Sequence, residues 1–165
     1  MMKTLLVLRH AKSSWSDSAL DDHERPLNKR GQRDGPRMGK LVREHGLIPD
    51  VIISSDAVRA RLTAEAVAEA AGYAGDVRFE AALYAAGPAD ILAVLRTVTE
   101  TTAGTVMIVG HNPGLEELVA QLTAEESDLP TAALAHIALP IDRWRDLKAS
   151  TRGRLLGLWR PKELA

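Results

Sequence analysis

The chain has 165 residues, with 21 Lys and Arg against 22 Asp and Glu, a formal net charge of -1, and no cysteine. That length suits one domain over residues 1–165 with a core of its own, and near-neutrality argues against a general binder of nucleic acid or anionic membrane. The lack of cysteine excludes disulfides, thiolate catalysis, cysteine-based zinc sites and iron–sulfur clusters.

The first apolar run, Thr4 to Leu8, stops at Arg9, short of the ~7–15 apolar residues of a signal peptide. No stretch approaches the ~20 apolar residues of a membrane span, so a cytoplasmic location with no membrane partner is expected. Leu5 to Leu8 is continuously aliphatic and predicts a strand buried on both faces. Residues 11–27 are polar and rich in turn formers, which predicts a loop. Asn28 can cap a helix running through Met38, Leu41 and Val42 to a stop at Gly46; Pro36 and Gly39 inside it argue against one straight helix. Val51 to Ile53 predicts a second buried strand, with Ser54-Ser55-Asp56 as the start signal of a helix from about Ala57 to Ala71, closed by Gly72.

Val77 to Glu80 reads as a short strand, and Gly87-Pro88 opens a helix with Ile91, Leu92 and Leu95 on one face. Val106 to Val109 is a further aliphatic strand, followed by a helix from Pro113 to Leu122. Beyond residue 131, His136–Leu139 and Leu155–Trp159 have strand character, with a helical turn near Asp142 to Leu147 between them. Alternating strands and helices over the first 125 residues imply βαβ crossovers, a mainly parallel sheet covered on both faces, and a three-layer α/β/α sandwich.

In such a sheet ligands bind beyond the carboxyl ends of the strands. The first strand delivers Arg9-His10 there; the second delivers Ser54-Ser55-Asp56 and then Arg59 and Arg61 in the opening turns of a helix; Val106 to Val109 delivers Gly110-His111-Asn112-Pro113-Gly114. Only five histidines occur in the chain, and two of them end buried strands. No third ligand at zinc spacing accompanies them, and no nucleophile elbow, P-loop or Gly-x-Gly-x-x-Gly is present. Two imidazoles and two arginines at one crevice suit a phosphoryl group, because guanidinium forks match its oxygens and stay charged at neutral pH. One neutral imidazole can act as nucleophile, while the other and Arg9 and Arg59 stabilise the charge of the transition state. Positive charge is thus built in, and no metal or other cofactor is required.

The segments VLRHAKS, SSDAVRARLTAE and VGHNPG, with DHERPLNKRG and the C-terminal GRLLGLWRP, resemble the histidine phosphatase superfamily, also called phosphoglycerate-mutase-like, and within it the short SixA-type branch. The resemblance spans nearly the whole chain. It implies that His10 is the phosphorylated nucleophile, that Arg9 and Arg59 clamp phosphate, that His111 is the second imidazole, and that Asn112 lines the pocket. Arg61 is a rival to Arg59, but the arginine directly before Ala after the serine pair is Arg59, and two residues along a helix turn ~200° away.

The family's general-acid glutamate has no counterpart: the corresponding stretch, Glu80 to Ala86, has Ala in its place. Glu80, Asp21, Asp22 and Glu24 are the substitutes on offer. Phosphate esters gain roughly 10²–10⁴-fold from general acid catalysis, whereas phosphohistidine leaves as an imidazole and depends on it less. A phosphohistidine protein is therefore the expected partner. A small phosphorylated metabolite, which would make the chain a broad phosphomonoesterase, and a phosphate-binding module without turnover are the rivals. Trp15 is read as a pocket wall or as a side chain packing on its own domain, Trp144 and Trp159 as core, and His23, His45 and His136 as structural or surface residues.

Overall fold

A computed structural model describes residues 2–100 and 102–164. Six strands form one sheet: β1 (Lys3–Arg9), β2 (Val51–Ser55), β3 (Arg78–Glu80), β4 (Thr105–Gly110), β5 (Leu134–Leu139) and β6 (Arg154–Trp159). Their spatial order is β3-β2-β4-β1-β5-β6. The pairs β1–β4, β2–β4 and β2–β3 are parallel, while β5 runs antiparallel to both its neighbours. Four helices cover the sheet: α1 (Lys29–Glu44), α2 (Val58–Ala71), α3 (Pro88–Leu95) and α4 (Gly114–Thr123).

The aliphatic strands are continuous in sequence because both faces of the sheet are covered. Along β1 the pleat sends Leu5 and Val7 into one core with residues of α3 and α4, and Leu6 and Leu8 into the other with residues of α1 and α2. This is the three-layer, mainly parallel arrangement expected from the strand–helix alternation. No helix among the described residues is long and apolar enough to cross a membrane.

Three expectations are corrected. Residues Lys29–Glu44 form one continuous α-helix despite Pro36 and Gly39. Proline in a helix interior costs ~3 kcal/mol, but Met38, Leu41 and Val42 on the same helix are buried, each contributing ~1.5–3 kcal/mol, so packing prevails. Gly39 is where α2 passes: a Cβ there would stand 2.6 Å from the Val67 carbonyl oxygen. Ser54 and Ser55 belong to β2, paired with Phe79 and Glu80 of β3, rather than to a helix cap; Ala57 occupies the N-cap position of α2 without a side-chain cap. β5 begins at Leu134, two residues before the expected start, because it pairs with β1 as far as Leu8. The loop 11–27 is tied down by a Ser13–Leu27 bridge and a 3-10 turn over Asp22–Glu24.

Candidate active site

Parallel pairing brings the two strand-terminal histidines together. Arg9 of β1 lies opposite Gly110 of β4, so the next residues, His10 and His111, emerge side by side with ring centroids 5.1 Å apart. The backbone N–H of His10 donates to the Gly110 carbonyl at 3.0 Å, and the His10 carbonyl accepts from Ala132, just before β5, at 3.0 Å. The following residue, Ala11, donates its N–H to Thr63 Oγ1 of α2 at 2.9 Å, and the Thr63 hydroxyl donates to the Arg59 carbonyl at 2.7 Å. The first turn of α2 is thereby linked to the end of β1.

His10 Nδ1 lies 2.8 Å from the Ala11 carbonyl. A carbonyl can only accept, so Nδ1 carries the proton and Nε2 of the neutral ring holds the lone pair. Arg59 Nε–H points at that lone pair from 3.4 Å. Burial, with a smaller push from the neighbouring His111, Arg59 and Arg9, lowers the His10 pKa to about 3, although the Ala11 contact opposes the shift. Burial likewise lowers His111 to about 4, helped by Arg59. Both rings are neutral at physiological pH.

His111 Nε2 meets Ser55 Oγ at 2.8 Å, and Ser55 Oγ already accepts the Ala57 N–H at 3.2 Å. Ser55, at the end of β2, thus orients the second imidazole; its place in β2 was hidden by the reading of Ser54-Ser55 as a helix cap. His111 Nδ1, Arg9 Nε and Arg25 Nε are buried without a hydrogen-bond partner, and all three residues line one hollow of about 230 Å³ together with His10, Lys12, Asp22, Arg59, Asn112 and Thr131. Orphaned buried polar atoms are rare in folded proteins. Three in one hollow, two of them guanidinium donors, suit an anion, although Arg25 Nε also lies 3.6 Å from Asp22 Oδ1.

Of the expected site residues, the structure brings Arg9, His10, Arg59, His111 and Asn112 to this hollow. Asn112 has its amide engaged, Nδ2 donating to the Leu129 carbonyl at 2.8 Å and Oδ1 accepting from Glu116 N at 3.2 Å, so it shapes the entry to α4. Arg61 lies away from the site against the Phe79 ring. Arg25 was not anticipated; it is 6% exposed and stacks on Trp15, which makes Trp15 both a pocket wall and a packing partner within the loop. The only advance signal was the density of basic residues around DHERPLNKRG.

The four carboxylate candidates separate cleanly. Glu80 is paired with Arg78 at 2.6 Å and Glu24 meets His23 at 3.1 Å. Neither they nor Asp21 line the hollow; Asp22 does. Its carboxylate accepts from the Tyr84 hydroxyl at 2.6 Å and from Arg59 Nη2 at 3.0 Å, while its backbone carbonyl accepts from Arg59 Nη1 at 2.7 Å. Tyr84 first, and then Arg59, hold the Asp22 carboxyl below the usual carboxylate range. His23 bridges to Asp56 at 2.9 Å on the opening of α2, anchoring this turn. Trp144 is buried core, as expected, its indole N–H donating to the Ala103 carbonyl at 2.7 Å, while Trp159 lies between His45 and His136.

Comparison with known proteins points the same way. The model of the histidine phosphatase superfamily (branch 1) matches residues 5–84. A chloroplastic, uncharacterised protein of Arabidopsis thaliana is 31% identical over 152 residues, covering 87% of this chain and 70% of that protein. The structure of a protein assigned as phosphohistidine phosphatase SixA from Nakamurella multipartitia superimposes with a TM-score of 0.84 at 28% identity, covering 98% of this chain and 97% of that one. A SixA assignment from Agrobacterium tumefaciens gives 0.82 at 28% identity over 96% and 98% of the two chains. With its phosphoglycerate-mutase-like fold, the chain belongs to the histidine phosphatase superfamily, in the SixA-type branch, and is a phosphatase.

Proposed function

We propose that this chain hydrolyses phosphohistidine on proteins, without a metal, through a phosphohistidine intermediate at His10. The observation that carries the reading is the Nδ1–H contact of His10 with the Ala11 carbonyl, which leaves the Nε2 lone pair for attack on phosphorus. As the Nε2–P bond forms, the bond from phosphorus to the substrate imidazole breaks. That imidazole departs neutral when its other nitrogen carries a proton. Arg9, Arg59 and His111 receive the charge that spreads over the phosphoryl oxygens, and Arg25 adds a further cation to the same wall. In the second step water attacks phosphorus, the lone pair returns to His10 Nε2, and both water protons end on the phosphate product.

Asp22 is the carboxylate at the site, and its contacts with Tyr84 and Arg59 keep it ionised, so it serves to hold Arg59 rather than to protonate a leaving group. A site without a neutral carboxylic acid suits a phosphoramidate better than an alkyl ester. The SixA assignments of two structures at 28% identity support the same substrate class.

The test uses protein in EDTA with a phosphohistidine-bearing protein and, separately, p-nitrophenyl phosphate, beside a His10→Ala variant. Turnover of the phosphohistidine protein in chelator is expected, with an acid-labile phosphoenzyme trapped on His10 and activity abolished in the variant. Turnover that survives His10→Ala would refute the nucleophile, and turnover of the small ester alone would transfer the reading to a phosphomonoesterase.

A further inference from the structure

Beside the catalytic hollow lies a second one of about 200 Å³, between α1 and the C-terminal segment, whose walls include Arg30, Arg33, Arg37, Asp34, Thr131 and Lys162. Thr131 lines both hollows, and its hydroxyl accepts from Arg30 Nη2 at 3.0 Å. Among the described residues that line it, four cations stand against one carboxylate, in a chain of net charge -1.

Asp34 is buried at the floor, 3.9 Å from Arg30 and 3.7 Å from Arg33, and holds the flanking guanidinium groups near it. Arg37 donates to the Leu164 carbonyl at 2.6 Å. Arg33 and Lys162 are exposed. Arg30, Arg33 and Arg37 follow one another at three and four residues on one face of the helix, and seven residues of helix extend about 10 Å. A single phosphate is too compact to meet such a row, whereas about three residues of extended polypeptide cover that length.

We infer that this basic hollow docks a carboxylate-rich segment of the phosphorylated protein whose phosphoryl group occupies the catalytic hollow. The inference rests on the proposed protein substrate, and it assigns specificity to a surface that touches none of the reacting atoms. Carboxylates along the segment face Arg33 and Lys162 at the rim, and Thr131 marks where the segment passes from one hollow to the other. Rim charges of this kind act on association and its salt dependence more than on the chemical step.

The test is an Arg33→Glu/Lys162→Glu double variant, neither residue lining the catalytic hollow. Binding of fluorescein-labelled hexaglutamate is followed by anisotropy at low salt, with inorganic phosphate saturating the catalytic site, and kcat/KM is measured on p-nitrophenyl phosphate. At least about tenfold weaker peptide binding is expected in the variant, with turnover of the small ester within about twofold of the parent. Binding unchanged by the double variant, peptide displaced competitively by phosphate, or pyrophosphate bound there as tightly as hexaglutamate would each overturn it. Because the binding arm needs no turnover, absence of phosphohistidine hydrolysis would count against the proposed reaction and leave this reading to be judged on its own.

Discussion

Asp22 lines the candidate site with its carboxyl already engaged. Its oxygens face the Tyr84 hydroxyl and Arg59 Nη2, so its folded pKa is lowered and it is a carboxylate at neutral pH. Asp22→Asn keeps an acceptor toward Tyr84 but removes the charge beside Arg59. The expected outcome is that rates on aryl phosphates with good and with poor leaving groups change by the same factor. A general acid would instead show a selective loss of roughly 10²–10⁴-fold on the poor ones, and leaving-group series on parent and variant decide between the two. From the sequence alone Asp21, Asp22 and Glu24 could not be told apart, because which of them meets Arg59 depends on how the loop 11–27 folds against α2.

At the scale of elements, the seam between α1 and α2 leaves no room for a side chain at Gly39. A Cβ at Gly39 would lie 2.6 Å from the Val67 carbonyl oxygen and 2.7 Å from the Ala70 Cβ. Gly39→Ala has to push the helices apart, so despite alanine's better helix propensity it is expected to destabilise by about 1–3 kcal/mol, read as a lower urea midpoint at constant m-value. The same seam explains why Pro36 does not break α1. Local rules supplied the Asn28 cap, whose side chain accepts from Gly31 N at 2.9 Å, and the left-handed Gly72 stop at φ 76°. They misplaced Ser54 and Ser55, because a serine pair before a helix looks like a cap until strand pairing claims it.

For the molecule as a whole, burying two imidazoles beside two guanidinium groups makes the site a reservoir of acid sensitivity. His10 and His111 have folded pKa values of about 3 and about 4, against about 6.5 unfolded. Between those limits the unfolded chain binds protons that the folded chain refuses, so stability falls as pH drops from about 6.5 toward 4. The loss is on the order of 3 kcal/mol per ring at the lower end. Urea unfolding measured from pH 7 to pH 4 is expected to show this decline and to show a shallower one in a His10→Asn/His111→Asn variant; parallel curves would contradict it. His23 has the opposite sign: its contacts with Asp56 and Glu24 raise its pKa, so its contribution is complete below its unfolded pKa and is lost as pH rises through the folded value.

Much of this molecule could be read from residue order. Short continuous aliphatic runs bounded by turn formers fit strands covered on both faces, strand–helix alternation favours parallel pairing, and in a parallel sheet the residues after each strand emerge at one edge. Arg9, His10, Arg59 and His111 were therefore legible as a set. What the tertiary structure decided were the contacts that no local rule encodes: Ser55 on His111, Asp22 on Arg59, Arg25 on Trp15, and the basic row of α1 beside Thr131. The first follows from the pairing of β2 with β4, the others from how the loop and the C-terminal chain fold, and their energies depend on distances of a few ångströms that sequence spacing does not specify.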